Sequence, residues 1–126
     1  MIKYKFNSSP QFKKEFNKLL KKCPSLEEDF ELLKNAMNAD LNYNQQKFPK
    51  SKYFQIKGLG EKVILPVFKI KKFRCKAIKK GNRSGFRFTF VFHKEEALIY
   101  FVQIYYKSKN QKEDKNRIIN LFKAKN

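Results

Sequence analysis

An α+β fold, its helices packed on one face of a largely antiparallel sheet, is what the sequence predicts from three features. Two apolar stripes at helical spacing run between Phe12 and Met37. Phe86, Phe88, Phe90 and Phe92 then alternate with other residues without interruption, and Ala97 to Tyr106 is apolar on both parities. With 126 residues, 41% of them apolar and fourteen of them Phe, the chain holds one domain, 1–126, with ample core.

Residues 2 to 6 place Ile2, Tyr4 and Phe6 on one face and Lys3 and Lys5 on the other, which predicts a short strand. Ser9-Pro10 is a helix start, a capping serine followed by proline at the first helical position. Phe12, Phe16, Leu19 and Cys23 follow at spacings of four, three and four, and Pro24 ends that helix. Ser25 to Glu28 reads as a capping box for a second helix, whose buried stripe is Leu26, Phe30, Leu33 and Met37. So short a turn predicts an antiparallel helical hairpin. Residues 42 to 61, rich in Asn, Gln, Lys and Gly, read as an irregular connection. Three strands are then expected to form an antiparallel meander. In the first, Phe68 and Ile70 share one parity and Phe73, Cys75 and Ala77 the other, which predicts a bend near Lys71-Lys72. Lys79 to Gly85 is a turn, and His93 to Glu96 another, where the lone His93 is expected to be solvated. Ile118, Leu121 and Phe122 predict a short closing helix.

No run of eighteen apolar residues occurs, so no membrane partner is expected. The N-terminus lacks the apolar stretch of a secretion signal, which predicts a cytoplasmic location. Cys23 and Cys75 are accordingly expected as reduced thiols filling core space. The net charge of +19 destabilises a compact chain by self-repulsion and points to a polyanionic partner. Its distribution sharpens this: between Glu61 and Glu95 there is no acid, where the composition alone would place about three. The same stretch carries Lys62, Lys69, Lys71, Lys72, Arg74, Lys76, Lys79, Lys80, Arg83, Arg87 and Lys94. These cations lie on strands and turns, and no helix is basic along one face, so a flexible RNA strand fits better than duplex DNA.

Familiar catalytic motifs are missing: no GxxxxGK[ST] loop, no HExxH, no cysteine cluster, and a single histidine. The basic stretch holds no carboxylate for a two-metal site, so no metal and no cofactor is expected. Hydrolysis of RNA would then rest on Lys, Arg and Tyr, with the 2′-hydroxyl as internal nucleophile. Cationic side chains would stabilise the extra charge of the transition state.

Lys69-Ile70-Lys71, the turn Lys80-Gly81-Asn82-Arg83-Ser84-Gly85 leading into Phe86-Arg87-Phe88, and Ile104 to Lys109 before Lys112-Glu113-Asp114 resemble the RelE/ParE toxin superfamily of bacterial toxin–antitoxin modules, in its HigB-like branch. The resemblance spans nearly the whole chain and is densest from 66 to 115. It implies a RelE-like fold and a metal-independent endoribonuclease that cleaves mRNA on the ribosome, held in check by a cognate antitoxin protein. On that match Lys69, Lys71, Arg87 and Lys109 (or Lys107) take the catalytic positions. Lys72, Arg74, Lys76, Lys79, Lys80, Arg83 and Lys107 would hold RNA. The chain departs from the pattern in a longer Phe73–Arg83 insertion and in having no tyrosine after Tyr106, which leaves the general base open. A gyrase-directed toxin of the same superfamily and a non-catalytic RNA-binding module are the alternatives.

Overall fold

Four phenylalanines fix how the sheet faces. Phe86, Phe88, Phe90 and Phe92 are all buried, and all belong to one core with Phe12, Leu26, Met37 and Leu41 of the two long helices. The structure is a computed structural model that describes residues 1–79, 81, 83–107 and 112–123. The elements are β1 (Lys5–Ser8), α1 (Pro10–Leu19), α2 (Leu26–Tyr43), β2 (Tyr53–Gln55), β3 (Val67–Ile70), β4 (Phe86–His93), β5 (Leu98–Tyr106) and α3 (Lys115–Lys123). They build one five-stranded sheet in the order β1-β5-β4-β3-β2. β1 lies parallel to β5, and the other pairings are antiparallel.

The α+β class and the central β3-β4-β5 meander agree with the expectation, and three details correct it. First, β2 falls inside the stretch read as irregular. It is a three-residue edge strand pairing Tyr53 with Ile70 and Gln55 with Phe68, too short to show a period. Second, the helices are not confined to one face. Ile118 of α3 packs with Val67, Val91 and Val102 in a second core, while α1 and α2 pack on the phenylalanine face. Third, Cys23 and Cys75 are joined as a disulfide, so they are not the separate thiols expected.

Local chemistry explains most boundaries. Ser9 Oγ accepts from Phe12 N at 3.1 Å, capping α1 with Pro10 in its first turn. Ser25 does not form the expected capping box. Its hydroxyl donates instead to Asp29 at 2.6 Å and accepts from Ala77 N at 3.0 Å, fastening the 71–79 loop to the start of α2. The parity conflict after Ile70 is resolved by ending β3 there, with Phe73 making an isolated bridge to Arg83. A bulge sits elsewhere: Thr89 pairs with Gln103 but Phe90 with Phe101, leaving Val102 as an extra residue. It lets Ile99, Phe101 and Ile104 face the first core while Val102 joins the second, so β5 is apolar on both parities. His93 is the last residue of β4, half-buried, with Nδ1 3.6 Å from Glu96 rather than in a solvated turn. Among the described residues no helix is long and apolar enough to cross a membrane.

Candidate functional site

Strand alternation puts Arg87 and Thr89 on the sheet face opposite the phenylalanines. Lys69 pairs with Thr89 across β3 and β4, and Thr89 pairs with Gln103 across β4 and β5. Arg87 pairs with Tyr105. Lys69 and Arg87 are therefore diagonal neighbours on adjacent strands, a separation of about 7–8 Å between backbones that one phosphate between their side chains can bridge. Lys71 follows the end of β3, and its Nζ lies 4.8 Å from the centroid of Phe54, the residue opposite Lys69.

An acid that sequence separation concealed completes the group. Glu113 lies in the short segment before α3, and its carboxylate takes the Lys69 ammonium at 3.2 and 3.3 Å. Two contacts bring it there. Gln103 Oε1, buried beside the bulge, accepts from Asp114 N at 2.8 Å, and Asp114 Oδ1 caps α3 by accepting from Arg117 N at 3.1 Å. Arg117 then clasps Glu15 of α1 with a two-pronged bond, Nη1 to Oε1 at 2.9 Å and Nη2 to Oε2 at 2.7 Å. The same guanidinium donates to the Val102 carbonyl at 3.0 Å, so α3 is fixed to the sheet and to α1 together. The absence of acids from residues 62–94 thus does not leave this face free of carboxylate.

The pair is well shielded, with side-chain exposures of 19% for Lys69 and 7% for Glu113. Burial by itself pushes the Glu113 carboxyl up. A hydrogen bond from its own backbone, the bonded Lys69 and the nearby Lys115 outweigh it and hold the group below the usual carboxylate range. Tyr105 moves the other way. Burial, then the Glu113 charge, raises its hydroxyl, and the nearby Arg87 guanidinium only partly offsets them. Neighbouring groups pushed apart in this manner, one held ionised and one held protonated, are how acid and base roles are divided in active sites. Arg87 Nε and Thr89 Oγ1 are buried without a hydrogen-bond partner among the described residues, and the buried Tyr105 hydroxyl lies beside the Arg87 guanidinium with no other partner among them. Unsatisfied buried polar atoms are expensive, and a ligand or water on this sheet face would satisfy them.

The remaining cations divide. Lys72, Arg74, Lys79, Arg83 and Lys107 are exposed along the 71–83 loop and the end of β5. Lys76 is exposed too, but its Nζ is paired with Glu28 at 2.9 Å. Lys80 and Lys109 lie outside the described residues. Gly85, the residue before β4, has φ +91°, and a Cβ there would lie 2.9 Å from the Tyr106 ring, so glycine is required at the entry to the strand that carries Arg87. The sequence pointed to Lys69, Lys71 and Arg87, and missed Glu113, Tyr105 and Gln103. The long-range pairing of β4 with β5 brings in Tyr105, the partner of Arg87, and Gln103, while Glu113 arrives through the contact of Asp114 with Gln103. Comparison with protein-family models, with curated proteins and with solved structures finds no match to this chain.

Proposed function

We propose that this protein is a metal-independent endoribonuclease acting on mRNA, as its likeness to RelE/ParE toxins implies. The supporting observation is the Lys69–Arg87–Tyr105–Glu113 group, with the buried, unsatisfied Arg87 Nε and Thr89 Oγ1 on the same sheet face. Lys69 and Arg87 hold the scissile phosphate and stabilise the charge that builds on its equatorial oxygens. Glu113, ionised at neutral pH, accepts the proton of the 2′-hydroxyl as that oxygen attacks phosphorus. Tyr105, kept protonated by burial, donates a proton to the departing 5′-oxygen. The exposed Lys71, Lys72, Arg74 and Arg83 attract the strand and set its path without choosing a sequence.

Cleavage of mRNA on purified ribosomes tests this, with magnesium present to keep the subunits joined and transition metals chelated. Arg87→Ala should lower cleavage about 10²- to 10³-fold, while Lys62→Ala, an exposed residue before β3, should change it less than about twofold. Equal activity of Arg87→Ala and the wild type would reject the assignment. The burial of Tyr105 and Glu113 favours a second reading, a non-catalytic RNA-binding module that uses the exposed loop alone. RNA binding without cleavage by the wild-type chain would select it.

A further inference from the structure

We propose that Cys23 and Cys75 form a thiol–disulfide exchange site for a small thiol that carries carboxylates, with Asp29 as its proton acceptor. The cysteines belong to the core on the phenylalanine face, the opposite sheet face from the Lys69 group, and the site does not depend on the RNA reading. Both cysteines are fully buried, and Asp29 beside them is only 4% exposed. Asp29 Oδ2 lies 3.7 Å from Cys23 Sγ, and Ser25 Oγ lies 3.6 Å from Cys23 Sγ and 3.7 Å from Cys75 Sγ. The serine donates to Asp29 Oδ2 at 2.6 Å, and two successive amides, Lys76 N and Ala77 N, donate to Asp29 and Ser25 at 3.0 Å each. A disulfide that merely cross-links needs no carboxylate, and burying one is costly unless it is held by donors, as here. Exchange proceeds through a thiolate, and a carboxylate within reach of a sulfur gives the departing proton a place to go.

The neighbouring surface suits one kind of reactant. A cleft of about 360 Å³ has Asp29 and Phe73 in its wall and Lys72, Arg74 and Lys76 at its rim. Asp29, in that wall, lies 3.7 Å from Cys23 Sγ, so the cations beside it fit an anionic thiol such as glutathione. In the closing direction Asp29 accepts the Cys23 proton, and the thiolate attacks one sulfur of the oxidised small thiol, whose other half leaves as a thiolate and takes up that proton. Cys75 then attacks Cys23 Sγ in the mixed disulfide, giving its proton through Ser25 to the second departing thiolate. One S–S bond is broken and one formed, and two thiols are released. Opening is the reverse, consumes two thiols, and removes the covalent tie between the 71–79 loop and the α1–α2 turn.

Exchange is followed on the folded protein by acid quenching and mass measurement, with glutathione and with neutral 2-mercaptoethanol. Lys72→Ala with Arg74→Ala should slow opening by glutathione threefold or more relative to 2-mercaptoethanol. Asp29→Asn, if it folds, should slow closure by oxidised glutathione about 10²-fold. An unchanged ratio between the two thiols in the double variant overturns the proposal, as does unchanged closure in Asp29→Asn. Stoichiometric zinc bound by the reduced protein and lost in Asp29→Asn would also overturn it, by making the cluster a metal site.

Discussion

Glu113→Gln separates an electrostatic role from a packing role more sharply than any other single change. The substitution keeps the shape and removes the charge that Lys69 faces at 3.2 Å. Removing one partner of a buried ion pair costs about 3–5 kcal/mol, because the other charge is left uncompensated. Lys69 keeps 19% of its side chain in solvent, so the lower end, about 3 kcal/mol, is expected. For a chain of this length that is a fall in Tm of about 10 °C. Lys69→Met with Glu113→Gln should recover most of the loss, giving a coupling of about 2 kcal/mol in a double-mutant cycle. The sign with pH follows from the lowered Glu113 pKa. Its stabilising contribution is complete above the ordinary carboxylate pKa and disappears as pH falls through the lowered folded value. Thermal melting of the four proteins at neutral pH, and again at the acid end where the fold persists, measures both. A coupling below about 0.5 kcal/mol at neutral pH would mean that Glu113 is placed by Gln103 and α3 alone, and the acid–base division would lose its basis.

Gly85→Ala should cost about 2 kcal/mol or more by chemical denaturation, since φ is +91° and the added carbon meets the Tyr106 ring. Ser9→Ala should cost about 1–2 kcal/mol, because the hydroxyl both caps α1 and donates to the Val102 carbonyl at 3.2 Å. Phe88→Ala, which empties a fully buried site between Phe12, Phe30, Phe73 and Phe101, should cost about 3–5 kcal/mol. If Lys71, Lys72, Arg74, Lys79 and Arg83 each neutralise one phosphate, the logarithm of RNA affinity should fall with the logarithm of salt at a slope of about −3.5. Indifference to salt in a filter-binding titration would leave the exposed cations as solvated surface.

What could be read from the sequence was whatever depends on neighbours along the chain. The cap at Ser9, the helical stripes and the phenylalanine alternation are local, and each stands where the spacing placed it. Features set by distant pairing escaped. The sheet's parallel edge follows from Lys5 lying against Leu98, ninety-three residues on, which no local period reveals. The position of α3 follows from the bulge at Val102, because it turns an otherwise continuous apolar strand toward two cores. The Ser25 hydroxyl departs from its local capping signal for a related reason. A capping box was available in sequence, but the 71–79 loop offered two amide donors that Ser25 and Asp29 satisfy together. Cys23 and Cys75, fifty-two residues apart, meet in that same junction.

The division of the cations bears on how cleavage and attraction could be separated. Lys69 is paired with a carboxylate and Arg87 is largely enclosed, so neither contributes much to a long-range field. Attraction is assigned to exposed cations such as Lys71, Lys72, Arg74, Lys79 and Arg83, whose charges are screened by salt and carry no geometric information. The enclosed group has the opposite character, with fixed positions, perturbed proton affinities and polar atoms awaiting a partner. Changes in the loop should therefore alter RNA affinity and its salt slope while leaving single-turnover cleavage at saturating RNA nearly constant. Changes at Arg87 should do the reverse, lowering the rate at saturation with a small effect on affinity. If loop and enclosed variants instead moved affinity and rate in parallel, the two sets of cations would be one binding surface, and the division drawn from burial would be wrong.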